Sequence, residues 1–156
     1  MSDFPIIRSN RCCMTIMTME DTGWLYELFN DEDVKKNLEG IRLFSDSKDA
    51  TAVFIDSMLE AYYTERGFLW KIMCEEIPVG FVCSADFDEN PYICYAMNRN
   101  FRNMGLMTEA VMAVLDYQNT IEYKSYMISV NKDNVSSCRV CNWLEDKFNN
   151  VAVFYK

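Results

Sequence analysis

The run from Tyr92 to Leu115 restricts the possible folds more than any other stretch of the chain. Tyr92-Ile93-Cys94-Tyr95-Ala96-Met97 reads as a strand. A short polar loop follows, with one glycine, Gly105. Val111, Val114 and Leu115 then recur on one face of a helix that starts at Leu106 and ends near Asn119. The first N–H groups of a helix have no partner inside it, and the helix dipole adds partial positive charge there. A strand, a glycine loop and a helix start in succession therefore make an anion site, with a pyrophosphate as its natural guest. Gly105 lets backbone approach a bulky ligand, and Arg102 is expected to add fixed positive charge. The plainer reading of a single glycine is a tight turn.

The rest of the chain supplies layers on either side of this unit. Arg8 to Met19 reads as a first strand, and Asp21 and Thr22 can cap a helix through Trp24, Leu25, Leu28 and Phe29. The segment from Asn30 to Asn37 continues as an irregular helical turn that Gly40 ends. Ser45, Asp46 and Ser47 form a capping cluster before a helix to about Glu65, which Gly67 stops. Phe68–Met73 and Val79–Ala85 read as a hairpin, with Glu75-Glu76-Ile77-Pro78 as its turn. Tyr126–Val130 is a strand, Asn134–Lys147 a helix and Val151–Tyr155 a last strand. The order is β-α-α-β-β-β-α-β-α-β, an α/β (α+β) domain with a mixed, mostly antiparallel central sheet and about four flanking helices. At 156 residues, a single domain over 1–156 is expected.

Composition narrows the chemistry. The chain has no histidine, which removes the commonest general base, the Ser-His and Cys-His pairs and most zinc sites. No metal site is expected; Cys138-Arg139-Val140-Cys141 has zinc or redox spacing but no second pair. Seven cysteines without a secretory signal fit reduced thiols and a cytoplasmic location. No apolar run approaches the ~20 residues of a membrane span. A net charge of −9 opposes binding to nucleic acid phosphates and would steer a cationic ligand in, although acidity also simply keeps proteins soluble. Glu32, Asp33, Glu39, Glu60 and Glu65 could collect such a cation, or form solvated helix faces.

Two segments resemble the GNAT superfamily of N-acetyltransferases. Arg102-Asn103-Met104-Gly105-Leu106-Met107, followed by Thr108-Glu109-Ala110, is similar to that family's acetyl-CoA pyrophosphate loop, with Met107 where a small residue is usual. The wording is similar to the branch that includes ribosomal-protein N-terminal acetyltransferases. Asn134, Ser137, Arg139 and Val140 resemble its second Asn-x-x-Ser-x-Arg-Val segment. The element order agrees over nearly the whole chain. The resemblance implies acetyl-CoA as co-substrate, held by Tyr95, Met97, Arg102, Asn103, Met104, Gly105, Leu106, Met107, Thr108 and Asn134. It also implies that the strand at Tyr95-Ala96-Met97 splays from its neighbour and offers N–H groups to the pantetheine arm and the acetyl oxygen.

In this picture an amine attacks the thioester in a ternary complex. Many relatives have a tyrosine as general acid at the position of Cys141, so that role moves to Ser137, beside Asn134. A lysine-like amine is neutral only about once in ~10³ molecules at pH 7, an α-amine roughly a tenth of the time, so an N-terminal acceptor needs less help from a base. Without histidine the base is a carboxylate, tyrosine or relayed water, and Asp86 is the candidate among Asp86, Asp88 and Glu89. The expected partners are acetyl-CoA, a cationic amine acceptor and, as one option, a second copy of the chain. Two rival readings are a module of the same fold that binds acyl-CoA without transfer, and a glycine loop that holds a different phosphate.

Overall fold

The computed structural model describes residues 3–85, 90–122 and 124–156. Seven strands lie in sequence order in one sheet: β1 (Ile7–Arg8), β2 (Cys13–Ile16), β3 (Gly67–Cys74), β4 (Ile77–Ala85), β5 (Tyr92–Met97), β6 (Tyr126–Val130) and β7 (Val151–Tyr155). Strands β1 to β5 pair antiparallel, while the β5–β6 and β6–β7 pairs are parallel. Parallel neighbours need a crossover, and α4 (Leu106–Ile121) and α5 (Val135–Lys147) supply the two.

Side-chain alternation puts helices on both faces. Trp70, Ile72, Val82, Ile93 and Met97 point to one face and bury against Val111, Val114 and Leu115 of α4 and Leu144 of α5. Leu69, Phe81, Cys83 and Ala96 point to the other, which is covered by α1 (Thr22–Phe29), α2 (Glu32–Asn37) and α3 (Lys48–Tyr63). Both faces of the central strands are dry, so β4 is buried from Val79 to Ala85. The expected mixed, mostly antiparallel sheet is present.

Several local expectations are corrected. The first strand, expected over Arg8–Met19, is a hairpin of two short strands, because Ser9–Arg11 is polar and turns the chain. Asn30–Asn37 is not an irregular continuation of α1. Asp31 starts a separate helix by accepting the N–H groups of Asp33 and Val34 at 3.0 and 3.2 Å. Gly40 does not end that helix, which closes at Asn37, but lies in a 3-10 stretch, Glu39–Phe44. Gly67 does not stop α3: Glu65 takes the left-handed turn at φ 59° and Gly67 opens β3. A Cβ on Gly67 would lie 2.8 Å from the Ser84 carbonyl, so this glycine serves close strand packing. Ser47 does cap α3, accepting the Ala50 N–H at 3.0 Å.

Candidate active site

Strands β5 and β6 are adjacent but share one registered pair, Tyr92 with Met127, where the Met127 N–H donates to the Pro91 carbonyl at 3.0 Å. Beyond that rung they part. The gap is a cleft of about 620 Å³ lined by Ile93–Met97 of β5, Ile128–Val130 of β6, the loop before α4 and the start of α5. The expected splay is therefore present. The Asn98 N–H donates to Val79 on β4, while the Pro91 carbonyl faces β6. Backbone groups alternate along a strand, so the N–H groups of Tyr95 and Met97 turn toward the cleft. Cys94 and Ala96, with Val34 and Leu38, line it from the opposite face of the sheet, so the opening passes through the sheet.

At one end lies the loop before α4. Gly105 has φ 75° and Asn103 φ 63°, and this double left-handed turn brings the helix start round to the cleft. Leu106 and Met107 bury their side chains in the core, leaving the N–H groups of the first helical turn as what they can present. Thr108 and Asn103 line the cleft. Met104 does not: its side chain is exposed away from the cleft and its carbonyl accepts Arg11 Nη1 at 2.8 Å.

Arg102 lines the cleft, but its charge is not free. Its Nε donates to the Met97 carbonyl at 2.9 Å, Nη1 to Asp33 at 2.9 Å and Nη2 to Asp31 at 3.1 Å. Arg99 adds two further bonds to Asp31, at 3.0 and 3.1 Å. Burial opposes ionisation of Asp31, but Arg102, the Val34 N–H and Arg99 outweigh it and hold the carboxyl below its ordinary value. Arg102 thus fastens α2 over the loop. The cations without an ion pair on the cleft, among the described residues, are Lys36 and Arg139.

At the same end, on the β6 side, is the start of α5. Asn134 Oδ1 accepts the Ser137 N–H at 3.2 Å, the capping bond its position calls for. Ser136 Oγ donates to Asn103 Oδ1 at 3.2 Å, so the two segments singled out in the sequence touch across the cleft mouth. Ser137 Oγ lies 2.7 Å from the Tyr95 hydroxyl, which is 3.5 Å from Cys141 Sγ. Burial pushes the Tyr95 hydroxyl well above the ordinary tyrosine value, so it keeps its proton at neutral pH. Cys141 is fully buried and does not line the cleft. Asp86 lies outside the described residues.

The chain belongs to the GNAT acetyltransferase family. The model of the acetyltransferase (GNAT) domain matches residues 11–145, which includes the loop before α4 and the start of α5. The fold is similar to ribosomal L7/L12 alpha-N-protein acetyltransferase RimL in complex with coenzyme A, at TM-score 0.79 and 16% identity over 88% of this chain and 81% of that one. It is also similar to the microcin C7 self-immunity acetyltransferase MccE in complex with acetyl-CoA and AMP, at TM-score 0.69 and 19% identity over 86% and 77% of the two chains. A third is the ribosomal-protein-S5-alanine acetyltransferase from Vibrio fischeri, at TM-score 0.73 and 12% identity over 90% and 82%. At these identities the likeness to solved structures is one of fold. No curated protein sequence matches the chain.

Three features of this GNAT site are silent in the sequence. The Tyr95 hydroxyl reaches Ser137 across the cleft. Helix α2 forms a wall through Asp33, Val34, Lys36 and Asn37. Arg11, nearly a hundred residues upstream, binds Glu109 in the first turn of α4 through both its backbone N–H (2.7 Å) and Nε (2.8 Å). Burial opposes ionisation of Glu109, yet Ser9 and the two Arg11 donors hold it below its ordinary value. Only an acid four residues after Gly105 was visible in the sequence, with nothing to indicate its partner.

Proposed function

We propose that this protein transfers an acetyl group from acetyl-CoA to a primary amine, by direct attack while both are bound. The observation that carries this reading is the parting of β5 from β6 between a glycine-led helix start and a tyrosine-backed serine. The N–H groups of Leu106, Met107 and Thr108, unpaired within the helix, suit the pyrophosphate. Lys36 and Arg139 suit the remaining phosphate charge. The exposed edge of β5 suits the pantetheine amide groups, as an added strand would. Lining residues from both faces of the sheet let donor and acceptor meet in the gap.

The neutral amine attacks the thioester carbon, and the developing oxyanion takes N–H bonds from the edge of β5, from Tyr95 or Met97. The C–S bond breaks, and Ser137 Oγ gives its proton to the departing thiolate while solvent in the cleft returns one to the serine, with Tyr95 holding the hydroxyl in place. On sequence grounds Asp86 takes the proton that the amine loses. An α-amine acceptor, as at a protein N-terminus, fits a site without histidine, and the acidic surface fits a cationic one.

Titration calorimetry with acetyl-CoA and, separately, ATP tests the donor. Selective acetyl-CoA binding in the micromolar range, about −8 kcal/mol, is expected. Equal binding of ATP would favour a general phosphate site. A panel of peptide N-termini and small polyamines then tests transfer. The rival reading, binding without transfer, rests on Cys141, which is buried away from the cleft at the position where many relatives carry a tyrosine. Thioester cleavage that no amine accelerates would establish that rival.

A further inference from the structure

A pair of thiols lies outside the cleft, on the far side of the Arg11 contact. Cys13 registers with Met73 across the β2–β3 ladder, which sets Cys12 opposite Cys74. Their sulfurs are 3.0 Å apart. Two sulfurs at that separation on directly opposed residues need to move by only about 1 Å to reach bonding distance. Beside them is an open crevice of about 470 Å³, lined by Ser9, Arg11, Cys12, Cys13 and Glu75 among others. Burial, then the bond to Cys74, pushes the Cys12 thiol up to about 12, so exchange here runs through a small thiolate fraction and is slow.

We propose that Cys12 and Cys74 are an oxidation site, in which a low-molecular-weight disulfide of the glutathione class, entering by the crevice, converts the pair to an intramolecular disulfide. One thiol, as its thiolate, attacks the reagent's S–S bond, forms a mixed disulfide and releases one reagent thiol. The second protein thiol then attacks the protein sulfur of that mixed disulfide and releases the other reagent thiol. The two cysteines lose two electrons and two protons, and one reagent disulfide becomes two thiols. The new bond closes a loop of 62 residues. It also staples the turn that carries Arg11, whose Nη1 holds the Met104 carbonyl and whose Nε holds Glu109, to the central sheet. Oxidation therefore stiffens the 103–109 segment from outside the cleft. This inference does not depend on the acetyl-transfer reading, since neither thiol lines the cleft.

The chain contains its own comparison. Cys83 and Cys94 are also registered opposite one another, on β4 and β5. Cys94 lines the main cleft, but Cys83 Sγ contacts Met58 Sδ at 3.9 Å, whereas Cys12 Sγ faces Cys74 Sγ at 3.0 Å. Cys83 stays reduced under the same treatment.

The test is incubation of the pure reduced protein in reduced/oxidised glutathione buffers, followed by alkylation and peptide mapping. The expected product is a single Cys12–Cys74 cross-link, present in Cys13→Ser and lost in Cys74→Ser. The oxidised wild type should melt about 5–10 °C higher and exchange amide hydrogens in peptides spanning 103–109 at least several-fold more slowly. A Cys83–Cys94 link, or stable glutathione adducts in place of an internal bond, would overturn the site. Unchanged exchange over 103–109 in the cross-linked protein would overturn its coupling to the loop. The wild-type map decides the pairing even if Cys74→Ser does not fold.

Discussion

Ser137 and Tyr95 act as one unit, since their oxygens are 2.7 Å apart and Tyr95 holds its proton. Ser137→Ala is expected to lower kcat about 10²-fold, with acetyl-CoA affinity changed less than twofold by calorimetry. Tyr95→Phe should cost about tenfold in kcat, and in the double variant it should add little to the loss from Ser137→Ala. Additive losses would mean that Tyr95 works through something other than the serine. Gly105 is a different kind of residue, needed for its backbone. At φ 75° a side chain is strained, and a Cβ there would sit 3.3 Å from Arg11 Nη2. Gly105→Val should weaken acetyl-CoA binding at least tenfold and lower the melting temperature; unchanged affinity would move the pyrophosphate elsewhere. Arg102 shows the limit of reading single residues. Its charge was legible in the sequence, but the fact that Asp31, Asp33 and the Met97 carbonyl engage it was not.

Elements were legible where one periodicity held over a long run. Helices α3, α4 and α5 each bury one stripe, and strands β3 to β6 bury alternating or continuous apolar sets. The short pieces were not legible, because their residues are fixed by partners distant in sequence. Strand β1 exists only through its pairing with β2, and α2 rests on the N-cap of Asp31, a residue also engaged by Arg99 and Arg102. The β3–β4 hairpin is instructive at this scale. Its two turn residues, Glu75 and Glu76, both have positive φ, at 50° and 67°, in a turn that favours Asn-Gly. Replacing the pair by Asn-Gly should raise stability by roughly 1–2 kcal/mol in urea denaturation. A neutral result would mean that the glutamates make compensating interactions in the folded state. At the same hairpin's bulge, Met73 pairs with Pro78 while Ile72 pairs with Gly80. A Cβ on Gly80 would strike the Ala96 carbonyl, so this glycine lets β4 lie close to β5 along the cleft wall.

Across the whole molecule, the cleft depends on four carboxylate–arginine contacts that join separate parts of the chain: Glu109 with Arg11, Asp31 with Arg102, Asp33 with Arg102 and Asp31 with Arg99. Asp31 and Glu109 titrate below their ordinary values when folded, so the unfolded chain takes up their protons first as pH falls. Their stabilisation is complete above about pH 5 and is lost as pH drops from about 4 through the lower folded values. The urea midpoint should therefore be flat near neutrality and fall below about pH 4, with a shallower acid limb in Asp31→Asn. An acid limb identical to wild type in that variant would remove Asp31 from this account. No helix among the described residues is long and apolar enough to cross a membrane. By itself the sequence determined the order of most elements, the mixed sheet, the glycine at the helix start and the family resemblance, because these follow from local periodicity and motifs a few residues long. Only the tertiary structure decided that β5 leaves β6 after one rung, that Tyr95 meets Ser137, and that Arg11 and Asp31 hold the loop and α2 in place. Those contacts join residues some 40 to 100 positions apart, and no spacing in a sequence encodes a distance that only packing sets.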